Sequence, residues 1–151
     1  NILGGKIEDK DGSGNWYFRE GKYRYSLGVT AEGVKKIAIL DTLLSNRFID
    51  TKSIIFIDEI ESALHPSAIS KFLDIISVLS ESGIQFFIST HSYFVVKELF
   101  LIAQAKKTSI PVLSADNGEW LQSNLKDEMP HSSIIAESIR LYEREVALSF
   151  S

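Results

Sequence analysis

Two adjacent carboxylates, Asp58 and Glu59, follow directly on a run of apolar residues at 53–57. Such a run predicts a strand buried on both faces, and open α/β sheets bind ligands where their strands end. At that edge the first acid could hold Mg2+, and the second could orient and deprotonate a water molecule. A buried strand that ends in a solvated acidic turn would have the same sequence, so this segment alone leaves both interpretations open.

A histidine stands at the corresponding place in the next apolar run. Residues 84–88 predict a second buried strand, and the polar sequence Ser-Thr-His-Ser follows, with the histidine at His91. If the two strands are neighbours, His91 reaches the same edge, where an imidazole can hydrogen-bond a phosphate oxygen or a catalytic water. The alternative is a helix cap, in which a hydroxyl of this run caps the helix from Tyr93. Two polar strand ends separated by one helix favour the first interpretation.

The elements that would position these residues follow from hydrophobic periodicity. Apolar residues at helical spacing predict helices over residues 31–46, 67–80 and 93–104, and a last helix around Ile135, Ile139, Tyr142 and Val146. Further strands are predicted at residues 110–113 and 120–121, and residues 117–130 are expected to be rich in loops. Strand and helix alternate from residue 53 onward, which predicts right-handed crossovers and a parallel sheet.

The first 29 residues have a different pattern. Short aromatic or β-branched runs at 6–8, 16–18 and 23–25 are separated by glycine-containing turn signals. We therefore expect an antiparallel β meander over residues 1–29 and an α/β lobe over residues 30–151.

Bulk composition narrows the class of protein. The chain has 151 residues, 44% hydrophobic and 24% charged, as expected for about one globular domain. The net charge of −4 does not indicate a nucleic-acid-binding surface, although DNA stays open as a partner. The absence of cysteine excludes disulfides and cysteine metal sites. No apolar run reaches the roughly 18 residues that a membrane span needs, so we expect a cytoplasmic protein without a membrane partner.

The sequence from Phe56 to Pro66, FIDEIESALHP, together with STHS at 89–92, resembles the ABC-type ATPases of the RecF, SMC and OLD-like group. The resemblance covers about residues 30–100 and implies a P-loop NTPase-like parallel sheet flanked by helices. It also implies bound ATP and Mg2+, with Asp58 as the Walker B magnesium ligand and Glu59 as the general base. His91 would be the switch histidine, and residues 61–65, which include Ser62, would form the D-loop across a homodimer interface.

The same family has a Ser-x-Gly signature before the preceding helix. The matching stretch here is TAEGVKK at residues 30–36, with Ala31 in place of the usual serine. This difference removes a hydroxyl that is expected to contact the γ-phosphate of the partner's nucleotide. Thr30 or the N–H of Gly33 could take its place, because helix N-termini attract anions. An ordinary helix cap fits these residues as well.

The phosphate-binding loop of the family does not occur in this sequence. A P-loop reads G-x-x-x-x-G-K-[ST], and neither Gly4-Gly5-Lys6 nor Gly21-Lys22 completes that pattern. The chain begins at Asn1 and its one methionine is Met129. We therefore expect a partial domain, inactive alone, whose own N-terminal lobe supplies the P-loop.

Two functions remain open at this point. The first is the C-terminal part of an ATP-hydrolysing enzyme that works at a dimer interface. The second is a degenerate ATPase fold that serves as a non-catalytic interaction module, as the missing P-loop and Ala31 would allow. A Toprim-type nuclease is not expected, because the one Asp-x-Asp sequence, Asp9 to Asp11, lies in a predicted turn at the wrong end of the chain.

Overall fold

The chain divides into two compact units, residues 1–88 and 89–151. The structure, a computed structural model, describes residues 6–9, 16–20, 22–26, 32–116 and 118–150. The expected boundary after residue 29 stays a prediction.

The first unit begins with the meander that the turn signals predict. Its strands are β1 (Lys6–Asp9), β2 (Trp16–Glu20) and β3 (Tyr23–Ser26), which pair antiparallel in the order β1-β2-β3. Ile7 lies opposite Phe18, which in turn lies opposite Tyr25. The meander is therefore confirmed.

A strand–helix–strand segment follows the meander. Helix α1 (Glu32–Ser45) leads to β4 (Ile54–Ile57), α2 (Pro66–Glu81) and β5 (Gln85–Ile88). Strands β4 and β5 pair in parallel with Ile57 opposite Ile88, so both strands end at the same edge. Hydrophobic periodicity predicts this βαβ unit, and both α1 and α2 begin and end within one residue of the predicted bounds.

Helix α2 covers one face of this strand pair. Its buried residues recur at helical spacing: Ile69, Phe72, Leu73 and Ile76. Full burial of such a side chain contributes about 1.5–3 kcal/mol to the free energy of unfolding. Pro66 occupies the first turn, where its missing N–H costs no helical hydrogen bond.

The other face of β4 and β5 remains exposed, so the prediction of strands buried on both faces is wrong. Ile54, Phe56 and Phe87 expose 56%, 76% and 48% of their surface. The Phe56 and Phe87 rings stack on that face with their centroids 4.9 Å apart. Successive side chains point to opposite faces of a strand, and α2 covers only one of them. A continuous apolar run thus makes both faces apolar without determining what covers each face.

The turn between α2 and β5 depends on Gly83. Its φ of +108° is in a region that L side chains rarely adopt, and a Cβ there would lie 3.0 Å from the Thr51 carbonyl oxygen. The Gln85 N–H donates to the Ser53 oxygen at 3.0 Å, which extends the pairing of the two strands by one bond. The glycine therefore allows β5 to start beside β4.

The second unit begins with helix α3 (Tyr93–Lys106), followed by β6 (Pro111–Asp116), β7 (Glu119–Asn124) and α4 (Ser133–Ser149). The sequence had placed the strand at 110–113 in the parallel sheet, and this is wrong, because β6 pairs antiparallel with β7. Residues 117–130 contain β7 as well as the turn and loop residues that the sequence predicts. Gly118 has a φ of +83° in a short Asn-Gly connection, a sequence that favours a tight hairpin over a crossover; Asn117 itself lies outside the described residues.

Polar contacts hold this hairpin within the second unit. The Gln104 side chain donates to the main-chain oxygens of Leu125 and Lys126 at 2.9 and 2.8 Å. Ser114, mostly buried, donates from Oγ to the His131 oxygen at 2.8 Å. Leu125 is fully buried beneath these contacts.

Helix α4 has no buried residue. The Arg140 guanidinium hydrogen-bonds the Glu137 carboxylate and thereby lowers the pKa of Glu137. Within the described residues, no helix has the length and apolarity needed to cross a membrane.

Candidate active site

The acidic pair lies where the sequence predicts it, immediately after β4. Both Asp58 and Glu59 are exposed. The residue before them, Ile57, is half-buried, and the residue after them, Ile60, is completely buried. The two acids are thus exposed to solvent, and the residues on either side of them are half-buried and buried.

The turn that follows has an unusual backbone. Glu59 and Ala63 have positive φ values of 44° and 59°. A left-handed conformation costs a non-glycine residue roughly 1–2 kcal/mol. The Ser62 N–H donates to the Glu59 oxygen at 2.9 Å, and the Leu64 N–H donates to the Glu61 oxygen at 3.2 Å. Backbone strain of this kind is found most often at active and ligand-binding sites, which supports a functional role for this turn.

A contact that the sequence did not indicate joins α1 to this turn. The Lys36 ammonium donates to the main-chain oxygens of Asp58 at 3.1 Å and Glu59 at 2.8 Å. A lysine on an amphipathic helix is usually solvated, and the separation of 22 positions between Lys36 and Asp58 leaves no local pattern from which to predict the contact.

The segment expected to be the D-loop forms the rest of the turn. Ser62 is half-buried and is bonded through its N–H to Glu59. His65 begins α2 as its N-cap, because its Nδ1 accepts the Ser67 N–H at 3.3 Å and lies 2.9 Å from the Ser67 hydroxyl. His65 therefore has a structural role at the helix start.

The signature residues are described only in part. Gly33 lies in the first turn of α1. Thr30 and Ala31 lie outside the described residues, so their expected contact with nucleotide stays a prediction.

His91 belongs to the second unit and is exposed, three positions along the chain from the end of β5. The Thr90 hydroxyl accepts the Ser92 N–H at 3.0 Å, and Ser92 is the N-cap of α3 but makes no side-chain capping bond. Ser92 thus occupies the capping position that the alternative interpretation expects. That interpretation assigns no role to the imidazole of His91.

The donors at the acidic pair suit magnesium. Mg2+ commonly binds one or two carboxylates and completes its shell with substrate phosphates and water. Asp58 offers an exposed carboxylate at the strand end, which fits that use. No group of three acids and histidines among the described residues forms a metal site by itself.

A groove of the first unit lies away from the acidic pair. This groove, of about 550 Å3, runs between α1 and α2 and is lined by Leu44, Ile75 and Val78 with Asp41 and Asp74 among its other residues. Neither Asp58 nor Glu59 lines it. The candidate site lies instead at a strand edge, a location that suits a site completed by other parts of a protein.

The chain matches a known protein family over the segment that contains this edge. Residues 8–97 match the family described as "AAA domain, putative AbiEii toxin, Type IV TA system". The match covers more than half of the chain and includes most of the meander, β4, the acidic turn, β5 and His91.

Two further similarities concern particular proteins. The chain is 37% identical over 79 residues to the "Old nuclease" of Escherichia phage P2, a stretch that covers 52% of this chain and 13% of that protein. A solved structure from a study of "ATP-driven dimerization and DNA stimulated activation of SMC ATPases" superimposes with a TM-score of 0.56 at 19% identity. That likeness covers 91% of this chain and 83% of the other, and it shows a shared P-loop NTPase-like fold.

The chain spans only about an eighth of the phage relative, so that protein's nuclease activity does not transfer to it. The family match covers the strands and the acidic turn that carry the candidate site. The chain therefore belongs to this AAA-domain family, within the RecF, SMC and OLD-like group of ATPases.

Proposed function

We propose that the full-length protein binds and hydrolyses ATP in a Mg2+-dependent reaction, with Asp58 and Glu59 at its centre. One observation carries the proposal. The two carboxylates are exposed at the end of a parallel strand, on a turn that is anchored by Ile60 and strained at Glu59. Two left-handed residues, Glu59 and Ala63, thus lie within five positions directly after the strand end, and strain of this kind clusters at active sites.

The two acids have different tasks in this proposal. The carboxylate of Asp58 would hold the magnesium ion, which neutralises negative charge on the phosphates when bound. Glu59 would orient a water molecule and accept its proton as the water attacks the γ-phosphate.

The remaining assignments rest on the resemblance of the motifs. His91 would hydrogen-bond the γ-phosphate or the attacking water. A second copy would contribute the signature around Thr30, Ala31 and Gly33, and Ser62 would lie at the interface between copies. Hydrolysis would thus occur at a homodimer interface, in the cytoplasm.

The phosphates also need a P-loop, and the 151 residues contain no such motif. We assign it to another part of the full-length polypeptide. The 151-residue chain alone is expected to have no measurable ATPase activity.

The test is ATP turnover of the full-length protein with Glu59→Gln as the variant. The amide keeps the size of the side chain but cannot accept the proton, so turnover should fall by about 10²- to 10⁴-fold while ATP still binds. Glu128→Gln, an exposed glutamate of the second unit, is the control and should retain wild-type turnover.

Equal turnover by wild type and Glu59→Gln would contradict the role of Glu59. A non-catalytic interaction module is the second candidate, favoured by the missing P-loop and by Ala31. Equilibrium binding of ATP to the full-length protein separates the two functions, because a degenerate module would not bind the nucleotide.

A further inference from the structure

The Lys36 side chain joins α1 to the acidic turn by donating hydrogen bonds to the main-chain oxygens of both Asp58 and Glu59. Its side chain is half-buried. An ammonium has three donors, and a carbonyl oxygen has two lone pairs. The Glu59 oxygen therefore accepts from Lys36 at 2.8 Å and from the Ser62 N–H at 2.9 Å, which uses both of its lone pairs.

We propose that Lys36 is a positioning residue, which fixes the main chain of the acidic pair so that the Glu59 carboxylate is held for catalysis. This role rests on the proposed ATPase function. In this proposal Lys36 acts through the two carbonyl groups and not through a contact with the reacting atoms.

The energetic reason lies in the backbone of Glu59. Its φ of 44° is unfavourable for a residue with a Cβ, so external contacts must stabilise it. A hydrogen bond from a charged donor is stronger than one between neutral groups, and Lys36 makes two. Without them the turn is free to relax, and the carboxylate moves with its own main chain.

The same contact links two parts of the site. Gly33 lies three positions before Lys36 in α1, and the acidic pair lies after β4. Lys36 therefore makes the position of Glu59 depend on the helix that begins at the signature segment.

The kinetic test compares Lys36→Met with Lys36→Arg in the full-length protein. Methionine keeps much of the apolar stem and removes the donors, so kcat should fall by about 10- to 100-fold, since a displacement of about 1 Å has an effect of that size. KM for ATP should change little, because the phosphates are held elsewhere. Arginine can still donate to carbonyl oxygens and should recover most of kcat. Lys71→Met, an exposed lysine on α2, should behave as wild type.

A second measurement requires no nucleotide. Amide hydrogen exchange of the segment 58–62 should become roughly tenfold faster in Lys36→Met and remain unchanged in Lys71→Met, because loss of the bonds to the carbonyls loosens the turn. If Lys36→Met does not fold, Lys36→Gln retains an N–H donor group on a shorter stem and is measured in its place, with an intermediate acceleration expected.

The outcomes separate the two proposals. Full turnover by Glu59→Gln would overturn the ATPase mechanism, while the exchange data would still decide whether Lys36 holds the turn. Unchanged exchange and unchanged kcat in Lys36→Met would overturn the role of Lys36. A raised KM with unchanged kcat would also overturn it, because Lys36 would then bind nucleotide directly.

Discussion

Glu59 and Ala63 both have left-handed backbones within a turn that otherwise consists of ordinary residues. The sequence alone allowed the acids to be predicted, because an apolar run followed by Asp-Glu is a local pattern. The backbone angles could not be predicted in the same way, since no glycine or asparagine marks these positions. They are stabilised by contacts from elsewhere, including Lys36 and the burial of Ile60.

The strain at Ala63 leads to a stability prediction. Glycine has no Cβ penalty at a φ of 59°, so Ala63→Gly should leave the free energy of unfolding unchanged or raise it by up to about 1 kcal/mol. The gain is partly offset because glycine loses more backbone entropy on folding. Ala38→Gly, buried in the middle of α1, should instead lower the free energy of unfolding by about 1 kcal/mol or more. Chemical denaturation measures both, and a clear loss of stability in Ala63→Gly would contradict the left-handed assignment.

At the level of elements, β4 and β5 show what hydrophobic periodicity predicts and what it leaves undetermined. It predicts the strands, their parallel pairing and the helix between them. It does not predict which face of the strands α2 covers and which face remains exposed, because both faces carry apolar residues. Phe72 on α2 and Phe56 on β4 are the same amino acid in the same unit, yet they expose 2% and 76% of their surface.

These two phenylalanines provide a matched comparison. Phe72→Ala removes a buried ring and leaves a cavity, so it should lower the free energy of unfolding by about 3–5 kcal/mol. Phe56→Ala loses mainly the stacking contact with Phe87 and should lower it by about 0.5–1.5 kcal/mol. Urea titration of both variants is the measurement. Similar losses for the two would mean that the exposed face of β4 is covered in solution.

At the scale of the whole molecule, the residues proposed to act on ATP are distributed along the chain between residues 30 and 91. The acidic pair and Lys36 belong to the first unit, and His91 belongs to the second. The P-loop motif occurs in neither.

Nucleotide-dependent association is expected from the proposed dimeric site. ATP bound between two copies should favour the dimer, and hydrolysis should release it. Full-length Glu59→Gln is therefore expected to remain dimeric in ATP and Mg2+, whereas the wild type should return to monomer as ATP is consumed, because a ligand that binds only the assembled state shifts the equilibrium toward it. Light scattering after size exclusion measures the mass. A variant that has the same mass with and without ATP would argue against the dimeric site.

The sequence was sufficient to predict the succession of strands and helices, the acids after β4 and the resemblance that the family match confirms. These depend on local spacing, which one chain displays directly. It could not determine that Lys36 bonds the two carbonyls, that β6 turns back on β7, or that one face of β4 and β5 stays open. Each of these depends on which distant residues approach one another, and the tertiary structure decides that by the burial and hydrogen bonding of the whole unit.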